Sequence, residues 1–598
     1  MKEFMSGNEA IARGAWEAGV RFAAGYPGTP STEILENLAG YEGVEAQWSA
    51  NEKVAFDEGI GAALGGLRTL VTMKHVGLNV AADAFMVFPY AGTNGGFVLI
   101  SADDPGMHSS QNEQDNRYLA RMAKVPVLEP SDPQECHDFI LAAYALSEQF
   151  KTPVMVRTTT RSAHSKGVVM VGERQEVAVK AYQPNAQQYA IPIYRHLRRP
   201  ELEKKLADLT TFAETYPLNR IEPETQAKSK IHAQRGSLKS KIGFVTSGIC
   251  YQYVKELLPS APVFKLGMIY PLPRQALIDF CSQYQRIYVV EEGEAFIEDQ
   301  LTSFGLTRII GKTLFGVIGE YTPERITAGL IADGLDLTRP VPAVTLDNDI
   351  TLVVRPPMFC VGCGHRTVFD VLRQLKLHVA GDIGCYSMGA LPPYEAEHTT
   401  FCMGASIGNA FGFRRAGQDK TVAIIGDSTF IHGGIPSLID TVYNRGDTAI
   451  IILDNSTTGM TGGQSHPGVD YTLQGQPTTR LDLEKLVKAV GVEQVEVVDT
   501  WDRRALAKAI RAAMSFAGPA VVIARGPCQL LPEMRRRKLT PFSIDYNLCT
   551  NCGACYRCHC PAIVTGDKGL PTIIANDCVA CTVCVEYCPE TAILQIPV

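Results

Sequence analysis

The clearest pattern in the chain is a pair of apolar runs with a helical stretch between them, within residues 421–464. The first run, 422–425, ends in Gly426-Asp427, and the second, 449–453, ends in Asp454-Asn455. Between them Pro436 suits a first helical position, and four apolar residues are spaced to share one helix face: Leu438, Ile439, Val442 and Tyr443. We predict a βαβ unit with two parallel strands, which delivers Asp427 and Asn455 to one ligand-binding edge.

The same alternation of strand-like and helix-like segments runs through most of the chain. Residues 21–38 and 69–88 each begin strand-like and continue helical, and Ser31 or Thr32 suits the N-cap of the first helix. Residues 181–237 are polar and poorly patterned, which favours a linker or a surface insertion. We predict an α/β protein of several doubly wound domains, at 1–180, 238–345 and 346–535, followed by a small Cys-rich α+β module at 540–598.

Composition and charge narrow the class of protein. The 598 residues are 45% hydrophobic and 20% charged, the balance of a globular protein with several domains. A net charge of −7 favours neither nucleic acid nor an anionic membrane as a partner. The sequence shows no apolar run of the ~20 residues that a membrane helix needs, and its start lacks a signal-peptide pattern. We therefore expect a cytoplasmic protein.

Asp427 and Asn455, which follow the two strand-like runs, are the first candidate ligands. One carboxylate, one amide oxygen and a nearby loop carbonyl suit Mg²⁺, which prefers hard oxygen ligands and often takes only one or two from the protein. The alternative is that Asp427 caps the next helix and Asn455 lies in a turn. Taken singly, the two residues leave these interpretations about even.

Nine of the 17 cysteines fall between Cys549 and Cys588. The last run has the C-x2-C-x2-C-x3-C-P spacing of bacterial two-cluster ferredoxins, in which each fourth Cys ligates the other cluster. A zinc ribbon uses paired rather than tripled spacing and is the weaker alternative. We predict one [4Fe–4S] cluster on Cys549, Cys552, Cys555 and Cys588, and another on Cys578, Cys581, Cys584 and Cys560. Cys558 competes with Cys560 but lacks the Pro that follows it.

A looser set of four cysteines surrounds the predicted ligand edge: Cys360, Cys363, Cys385 and Cys528. The first two form a CxxC just before a predicted helix, and the other two each follow a strand-like segment, so that both could reach the same sheet edge. The alternative is that some of these thiols are buried apolar residues. The CxxC beside the ligand edge favours a third [4Fe–4S] cluster.

Several stretches together resemble the 2-oxoacid:ferredoxin oxidoreductases over nearly the whole chain. They are GYPGTPSTE (25–33), NEKVAFDEG (51–59), CVGCGH (360–365), CMGASIGNAFG (402–412), the Gly-Asp…Asp-Asn stretch and the terminal cysteine module. Their order, with the ferredoxin-like module last, is most similar to the alpha subunits of the indolepyruvate-type members. The resemblance identifies 238–345 as similar to a transketolase C-terminal domain.

The resemblance implies thiamine diphosphate (ThDP) as cofactor, with residues 1–180 binding the pyrimidine and residues 346–535 binding the diphosphate and Mg²⁺. It assigns Asp427, Asn455 and the Thr457 carbonyl to the metal. Glu52 matches the carboxylate that the family places at the pyrimidine N1′, against the alternative of an ordinary Glu at a helix start. The remaining cofactor contacts that the resemblance implies are Gly426, Ser428, Gly404 and His365, where Ser428 replaces the family's usual Gly.

The resemblance also bears on the substrate. Thr29 matches the family's substrate-contacting Thr. The family's Asn beside the cofactor is Met460 here, which favours an apolar, aryl substrate. No Arg for the substrate carboxylate can be assigned, and the candidates for a cationic contact are Lys74, His75, His108 and Arg117.

The activity that the resemblance implies is oxidative decarboxylation of an aryl 2-oxoacid such as indolepyruvate, with coenzyme A as acyl acceptor and an external ferredoxin as electron acceptor. The pyruvate-type members carry a further domain, which the resemblance places on a beta subunit, giving an expected α2β2 complex. Two alternatives stay open: a non-oxidative ThDP decarboxylase, which has no use for eight ferredoxin-spaced cysteines, and an electron-transfer subunit whose ThDP domains are inactive.

Overall fold

The computed structural model describes residues 1–223, 242–335, 337, 356–537 and 539–595. The chain forms two compact units, Met1–Ile350 and Thr351–Val598. The predicted domain boundaries at 237/238 and 345/346 lie outside the described residues. Among those residues no helix has both the length and the apolar character needed to cross a membrane.

The first unit contains two parallel-type sheets and a small antiparallel pair. Its strands are β1 (Lys2–Ser6), β2 (Phe22–Gly25), β3 (Glu45–Trp48), β4 (Thr69–Lys74), β5 (Phe97–Asp103), β6 (Val127–Leu128), β7 (Val154–Thr159), β8 (Lys166–Met170), β9 (Arg220–Glu222), β10 (Ile242–Ser247), β11 (Val263–Leu266), β12 (Met268–Tyr270), β13 (Arg286–Val290) and β14 (Ile309–Ile310).

The helices of this unit connect the parallel strands. They are α1 (Gly7–Glu17), α2 (Thr32–Leu38), α3 (Glu52–Leu64), α4 (His75–Val80), α5 (Ala82–Ala91), α6 (Arg117–Ala123), α7 (Pro133–Phe150), α8 (Thr160–His164), α9 (Ala186–Tyr189), α10 (Ile191–Ala213), α11 (Gly248–Leu257), α12 (Arg274–Ser282), α13 (Phe296–Ser303), α14 (Lys312–Phe315) and α15 (Pro323–Ala332).

The larger sheet of the first unit has the strand order β12-β6-β7-β5-β4-β2-β3. Six of its strands form the parallel array that the alternation predicts, and Ser31 occupies the N-cap position of α2. Strand β12 is the exception, since it comes from the predicted 238–345 region yet pairs antiparallel with β6. The second sheet has the order β14-β13-β10-β11-β9.

The predicted linker or insertion at 181–237 contains a long helix that the sequence pattern did not indicate. Helix α10 buries only four of its side chains and carries prolines near its start and in its interior. It is fastened to α5 and the end of α7 by polar contacts: Arg198 donates to the Tyr90 carbonyl at 3.0 Å, and Lys205 donates to the Lys151 carbonyl at 2.9 Å. A helix held this way shows little apolar periodicity, which explains why it was missed.

The second unit begins with an all-parallel sheet of order β15-β16-β17-β19-β18. Its strands are β15 (His378–Ala380), β16 (Thr421–Gly426), β17 (Ala449–Asp454), β18 (Gln494–Asp499) and β19 (Ala520–Arg525). Its helices are α16 (His365–Leu375), α17 (Ala405–Arg415), α18 (Asp427–Thr429), α19 (Ile435–Tyr443), α20 (Leu483–Ala489), α21 (Arg503–Ser515) and α22 (Pro532–Arg535), with a π-helical turn over Phe430–Gly434.

The predicted βαβ unit is confirmed as β16, α19 and β17, with the two strands parallel and fully buried. The predicted apolar helix face is wrong in part. Leu438 is buried, but Ile439 is 48% exposed and Tyr443 83% exposed. Only Leu438 and Thr441 of α19 are buried, a stripe narrower than the run of apolar residues. Burial therefore follows the width of the sheet contact rather than the full apolar pattern.

The C-terminal module consists of short elements around its cysteines. Strands β20 (Phe542–Ile544) and β23 (Ile593–Gln595) pair antiparallel, as do β21 (Ile563–Thr565) and β22 (Pro571–Ile573). A single short α-helix, α23 (Val583–Tyr587), is found among the described residues of the module. The hydrophobic cluster here includes eight of its cysteines, seven of them among those predicted to ligate iron.

Candidate cofactor site and cysteine-lined cavities

Asp427 lies at the carboxyl end of β16, with its side chain 3% exposed. Its carboxylate accepts backbone N–H groups from Ser428 at 2.8 Å, Asn455 at 3.1 Å and Ser456 at 2.8 Å. These bonds join the ends of β16 and β17, as the parallel register requires. A carboxylate offers about four lone-pair positions, so acceptor capacity for a cation remains.

The second predicted ligand, Asn455, follows β17 directly. Its side-chain oxygen accepts the N–H of Thr457 at 3.2 Å, which orients the loop carrying the third predicted ligand, a carbonyl. Ser428 and Thr458 share a hydroxyl hydrogen bond at 3.0 Å. The structure therefore brings Asp427, Ser428, Asn455 and Thr457 together at one sheet edge. Gly426 also lies at this edge. A Cβ at that position would lie 2.8 Å from the Tyr386 ring, so a larger residue would clash with the ring.

Two further predicted cofactor contacts, Gly404 and His365, lie in the same unit. Gly404 has φ 85° and approaches Gly433 so closely that a Cβ would meet that backbone at 2.7 Å. His365 begins α16, and burial lowers its pKa to about 4, against the opposing influence of Asp427. The imidazole is therefore neutral at physiological pH.

Asp382 was missed by the sequence analysis. This fully buried carboxylate accepts the N–H groups of Gly404 at 2.9 Å and Ser406 at 3.0 Å, and so fixes the start of α17. Burial raises the pKa of Asp382, and these backbone hydrogen bonds oppose the rise. The available signal was a second Gly-Asp pair after a strand, Gly381-Asp382, which repeats the pattern of Gly426-Asp427.

His466 was also missed. Its Nε2 lies 3.4 Å from the Asp427 carboxylate, and its Nδ1 accepts the N–H of Gly468 at 3.1 Å. The Nε2 atom makes no hydrogen bond to the described residues. His466 therefore lies beside the predicted metal ligand without bonding to it, and no spacing rule in the sequence pointed to it.

The four cysteines of the looser set line one cavity of about 50 Å³. Asn455 and Gly459 line the same cavity, and a Cβ on Gly459 would lie 3.7 Å from the Cys385 Sγ. The cavity therefore adjoins the edge that carries the predicted Mg²⁺ ligands. Its cysteines are Cys360, Cys363, Cys385 and Cys528.

The cysteines of the C-terminal module line two further cavities. One, of about 20 Å³, is lined by Cys549, Cys552, Cys555 and Cys588. The other, of about 30 Å³, is lined by Cys560, Cys578, Cys581 and Cys584, together with Cys558 and with Cys363 from outside the module. Each predicted set of four is thus gathered around its own space. The Cys558 thiol donates to the Cys555 carbonyl at 3.0 Å, a contact that favours Cys560 as the ligand.

No three His, Cys, Asp or Glu side chains within the described ranges form a group that could hold a metal ion. The predicted Mg²⁺ set contains only one residue of those four types, since its other members are an amide and a carbonyl oxygen. A [4Fe–4S] cluster occupies more space than one ion, so its ligands surround a cavity. Each of the three cavities is lined by at least four cysteines, which fits that requirement.

The first unit gathers its predicted residues at the carboxyl ends of three neighbouring strands, β4, β2 and β3. Glu52 opens α3 after β3, is 5% exposed, and follows the N-cap Asn51. Gly77 leaves room for it, because a Cβ there would lie 2.7 Å from the Glu52 carboxylate. Thr29 follows β2, and its carbonyl accepts the Ser109 hydroxyl at 3.4 Å.

The four candidates for a cationic contact differ in their surroundings. Arg117 is fully buried between Asp115 at 2.5 Å and Glu291 at 2.6 Å, and so fastens two regions of the first unit. His75 is fully buried against the Asn112 carbonyl. His108 is 54% exposed beside Glu320. These contacts leave Lys74 as the cation best placed at the edge that carries Thr29.

Lys74 ends β4 and donates to the Ser109 carbonyl at 2.7 Å. Its aliphatic stem lies against Gly28, where a Cβ would meet three Lys74 carbons at 3.2–3.3 Å. Burial lowers the Lys74 pKa to about 8, and the charges of Asp104 and Glu52 oppose that fall. No ion pair to Lys74 is formed within the described ranges.

Comparison with known proteins completes the description of the site. Residues 13–226 match the family "Pyruvate flavodoxin/ferredoxin oxidoreductase, thiamine diP-bdg", and residues 382–524 match "Thiamine pyrophosphate enzyme, C-terminal TPP binding domain". The chain is 39% identical to indolepyruvate oxidoreductase subunit IorA of Archaeoglobus fulgidus, over 99% of this chain and 97% of that protein. The IorA subunit of Methanothermobacter marburgensis is 40% identical, again over 99% of this chain and 97% of that protein. The 2-oxoglutarate synthase subunit KorA of the same organism is 33% identical over 29% of this chain and 49% of the KorA chain.

Proposed function

The chain belongs to the family of indolepyruvate oxidoreductase IorA subunits, within the ThDP-dependent 2-oxoacid:ferredoxin oxidoreductases, and from that premise we propose its substrates and the roles of its residues. The protein oxidatively decarboxylates an aryl 2-oxoacid such as indolepyruvate. Coenzyme A takes the acyl group as a thioester, CO₂ leaves, and the electrons pass to a ferredoxin. The coarser activity follows from family membership, whereas the aryl substrate and the thioester product are the proposal.

The observation that carries the proposal is that each of three cavities is lined by one predicted set of four cysteines. We assign a [4Fe–4S] cluster to each set, which gives about twelve irons per chain, four for each cubane. The Cys360 cavity supports this assignment because Asn455, a proposed Mg²⁺ ligand, also lines it. Electrons leaving the cofactor edge therefore have a neighbouring acceptor. A non-oxidative decarboxylase would have no use for such a series.

The diphosphate side of the cofactor is assigned to Mg²⁺ held by Asp427, Asn455 and the Thr457 carbonyl. Bound ThDP supplies the carbon nucleophile and the electron sink of the reaction. Asp427 can hold the ion firmly, because three backbone N–H groups already fix its carboxylate. The His466 Nε2 lies 3.4 Å from the same carboxylate.

The proton-transfer role is assigned to Glu52, whose carboxylate would hold a proton at the pyrimidine N1′. Its burial at the start of α3 supports this role, because a carboxylate shielded from water interacts more strongly with a hydrogen-bond partner. Gly77 in α4 has no Cβ, which leaves room for the Glu52 carboxylate beside that helix.

The substrate carboxylate is assigned to Lys74, with Thr29 as the neighbouring hydroxyl contact. The ammonium carries no ion pair among the described residues, and the sheet order puts it next to Thr29. Met460 is 56% exposed on the loop after Asn455 and offers an apolar surface suited to an aryl group. In the first unit Lys74 and Thr29 favour a substrate with a carboxylate, and in the second unit Met460 favours one with an apolar tail.

The partners are part of the proposal. The IorA relatives are named as subunits, and we infer a beta subunit for this chain, in an α2β2 complex that also engages coenzyme A. An external ferredoxin accepts the electrons from the C-terminal module. The isolated chain should then form little or no thioester.

The test is anaerobic dye reduction by the complete two-subunit complex, with coenzyme A and a panel of aryl, branched and short 2-oxoacids. We expect the highest kcat/KM with indolepyruvate or another aryl 2-oxoacid. Matched turnover of pyruvate and indolepyruvate would contradict the aryl assignment. Carbon dioxide release without dye reduction would instead indicate a non-oxidative decarboxylase.

A further inference from the structure

Arg366 lies where the CxxC segment meets the C-terminal module. It is in the first turn of α16, three residues after Cys363, and is 6% exposed. Its Nε donates to the Cys360 carbonyl at 2.8 Å, and its Nη1 donates to the His559 carbonyl in the module and to the Tyr394 hydroxyl at 3.3 Å. One guanidinium thus joins the backbones that carry two different cysteine sets.

One nitrogen of this guanidinium has no partner among the residues that the structure describes. The Nη2 atom is buried and makes no hydrogen bond, and no carboxylate pairs with Arg366 anywhere in the described ranges. A buried cation without a counter-charge is costly. The side chain lines the cavity of Cys560, Cys578, Cys581 and Cys584, which Cys363 also lines. The missing partner of Arg366 is therefore expected in that cavity.

We propose that Arg366 is a positioning residue for electron transfer, which raises the reduction potential of the cluster on Cys560, Cys578, Cys581 and Cys584 and holds the Cys360–Cys363 segment against it. The inference rests on the proposed function, because it requires clusters in these cavities. A [4Fe–4S] core with four thiolates is an anion, and reduction adds one negative charge. Net charge and hydrogen bonds to the sulfurs set its potential, so a buried cation favours the reduced form.

The charge of Arg366 favours electron transfer in one direction. Raising the potential of this cluster makes it the better acceptor for an electron that leaves the Cys360 cluster. The same residue holds the carbonyls of Cys360 and His559, so distance and driving force depend on one side chain. If Arg366 served only in packing, its substitution would change the distance between the clusters but not the difference between their potentials.

The experiment is an EPR-monitored redox titration of the anaerobic full-length chain in its complex, with Arg366→Gln and Arg366→Lys. The Gln variant keeps hydrogen-bond donors but removes the charge, whereas Lys keeps the charge. We expect the midpoint potential of one cluster to fall in the Gln variant by at least a tenfold change in its equilibrium constant, about 59 mV for one electron. The Lys variant should recover most of that shift.

The matched control is Arg503→Met. Arg503 also fastens the module, since its Nε donates to Asp370 at 2.9 Å and its guanidinium lies 5.1 Å from the centre of the Tyr587 ring, but it does not line the cavity. We expect its cluster potentials to match the wild type. An equal shift in this control would overturn the proposal, because loosened docking would then be the cause.

Iron content separates failure of this inference from failure of the proposed function. Wild-type chain that lacks clusters in the module would overturn both, and its low iron count shows this before any titration. If Arg366→Gln holds the wild-type iron content with unchanged potentials, the role of Arg366 is overturned alone. Loss of iron in both the Gln and Lys variants would also overturn it, because Arg366 would then serve assembly rather than potential.

Discussion

The second unit contains two regions that position candidate ligands by different means. At the sheet edge, β16 and β17 are fully buried, and backbone N–H groups fix Asp427. In the C-terminal module, strands are three residues long and cysteines make up much of the hydrophobic cluster. In the first region the protein positions its ligands, whereas in the second the ligands must hold the protein together.

The difference has an energetic origin. The parallel sheet carries a continuous apolar core that does not depend on a cofactor. A segment of fewer than 60 residues buries too little apolar surface to be comfortably stable, and such modules commonly rely on metal ligation. The two regions should therefore respond differently when their bound groups are removed.

Removing the clusters should have the largest effect. We expect iron chelation under reducing conditions to abolish hydrogen-exchange protection in β20–β23, because no other large core stabilises them. Strands β16 and β17 should keep their protection, since their burial is apolar. Protection that persists in the module after iron loss would contradict the comparison.

Asp427→Ala should have the next largest effect. The change removes a proposed metal ligand and leaves three buried N–H groups without their acceptor. We expect loss of ThDP retention and a fall in turnover of at least about a hundredfold, with iron content unchanged. Asp427→Asn is the matched variant, because the amide keeps an oxygen that can accept these N–H groups but lacks the charge that would hold Mg²⁺. Full ThDP retention and turnover in Asp427→Ala would remove Asp427 from the ligand set.

Glu52→Gln should act on turnover rather than on binding. An amide cannot hold the proton in the way a carboxylate does, so we expect kcat to fall by about 10²–10⁴ while ThDP is retained. The exchange rate of the ThDP C2 proton is the direct measurement. An unchanged exchange rate would assign the role to another residue.

Lys74 should give the smallest effect, and a pH-dependent one. Lys74→Met removes the proposed charged hydrogen bond to the substrate, so KM should rise about tenfold to a hundredfold, the equivalent of about 1.5–3 kcal/mol. Burial lowers the Lys74 pKa to about 8. The charged form that binds an anion is therefore present below that pH and lost above it, and wild-type KM should rise as pH passes through 8.

The Lys74 assignment would be contradicted if the Lys74→Met variant had the wild-type KM at pH 7 and the wild-type pH dependence of KM. Arg117 would not serve in its place, because it pairs with Asp115 and Glu291 in a buried network. His108→Ala is the control variant, since that side chain is exposed at the neighbouring loop.

The sequence could predict those strands and helices whose burial follows from the apolar pattern of their own residues. Strands β16, β17 and β19 are apolar runs that end in Asp427, Asn455 and the segment before Cys528, and the structure has them as predicted. Cysteine spacing likewise predicted the three neighbouring cysteines of each module set, because spacing within a run is a local property, whereas the fourth cysteine of each set comes from the other run.

The parts that could not be predicted depend on neighbours distant in sequence. Helix α10 is held by polar contacts to α5 and α7 rather than by an apolar stripe. Arg366 acquires its role only because the His559 carbonyl lies beside it, and His466 is part of the site only because it lies beside Asp427. The residue pattern within a single helix or strand does not indicate which distant residues it will contact.

The most direct test of the central claim is anaerobic reduction of the clusters by substrate in the complete complex, followed by visible absorption and EPR. The account predicts that indolepyruvate with coenzyme A and ThDP bleaches the clusters, and that the Asp427→Ala complex stays oxidised under the same conditions although dithionite still reduces it. Clusters that dithionite reduces but that no 2-oxoacid reduces in the wild-type complex would contradict the account.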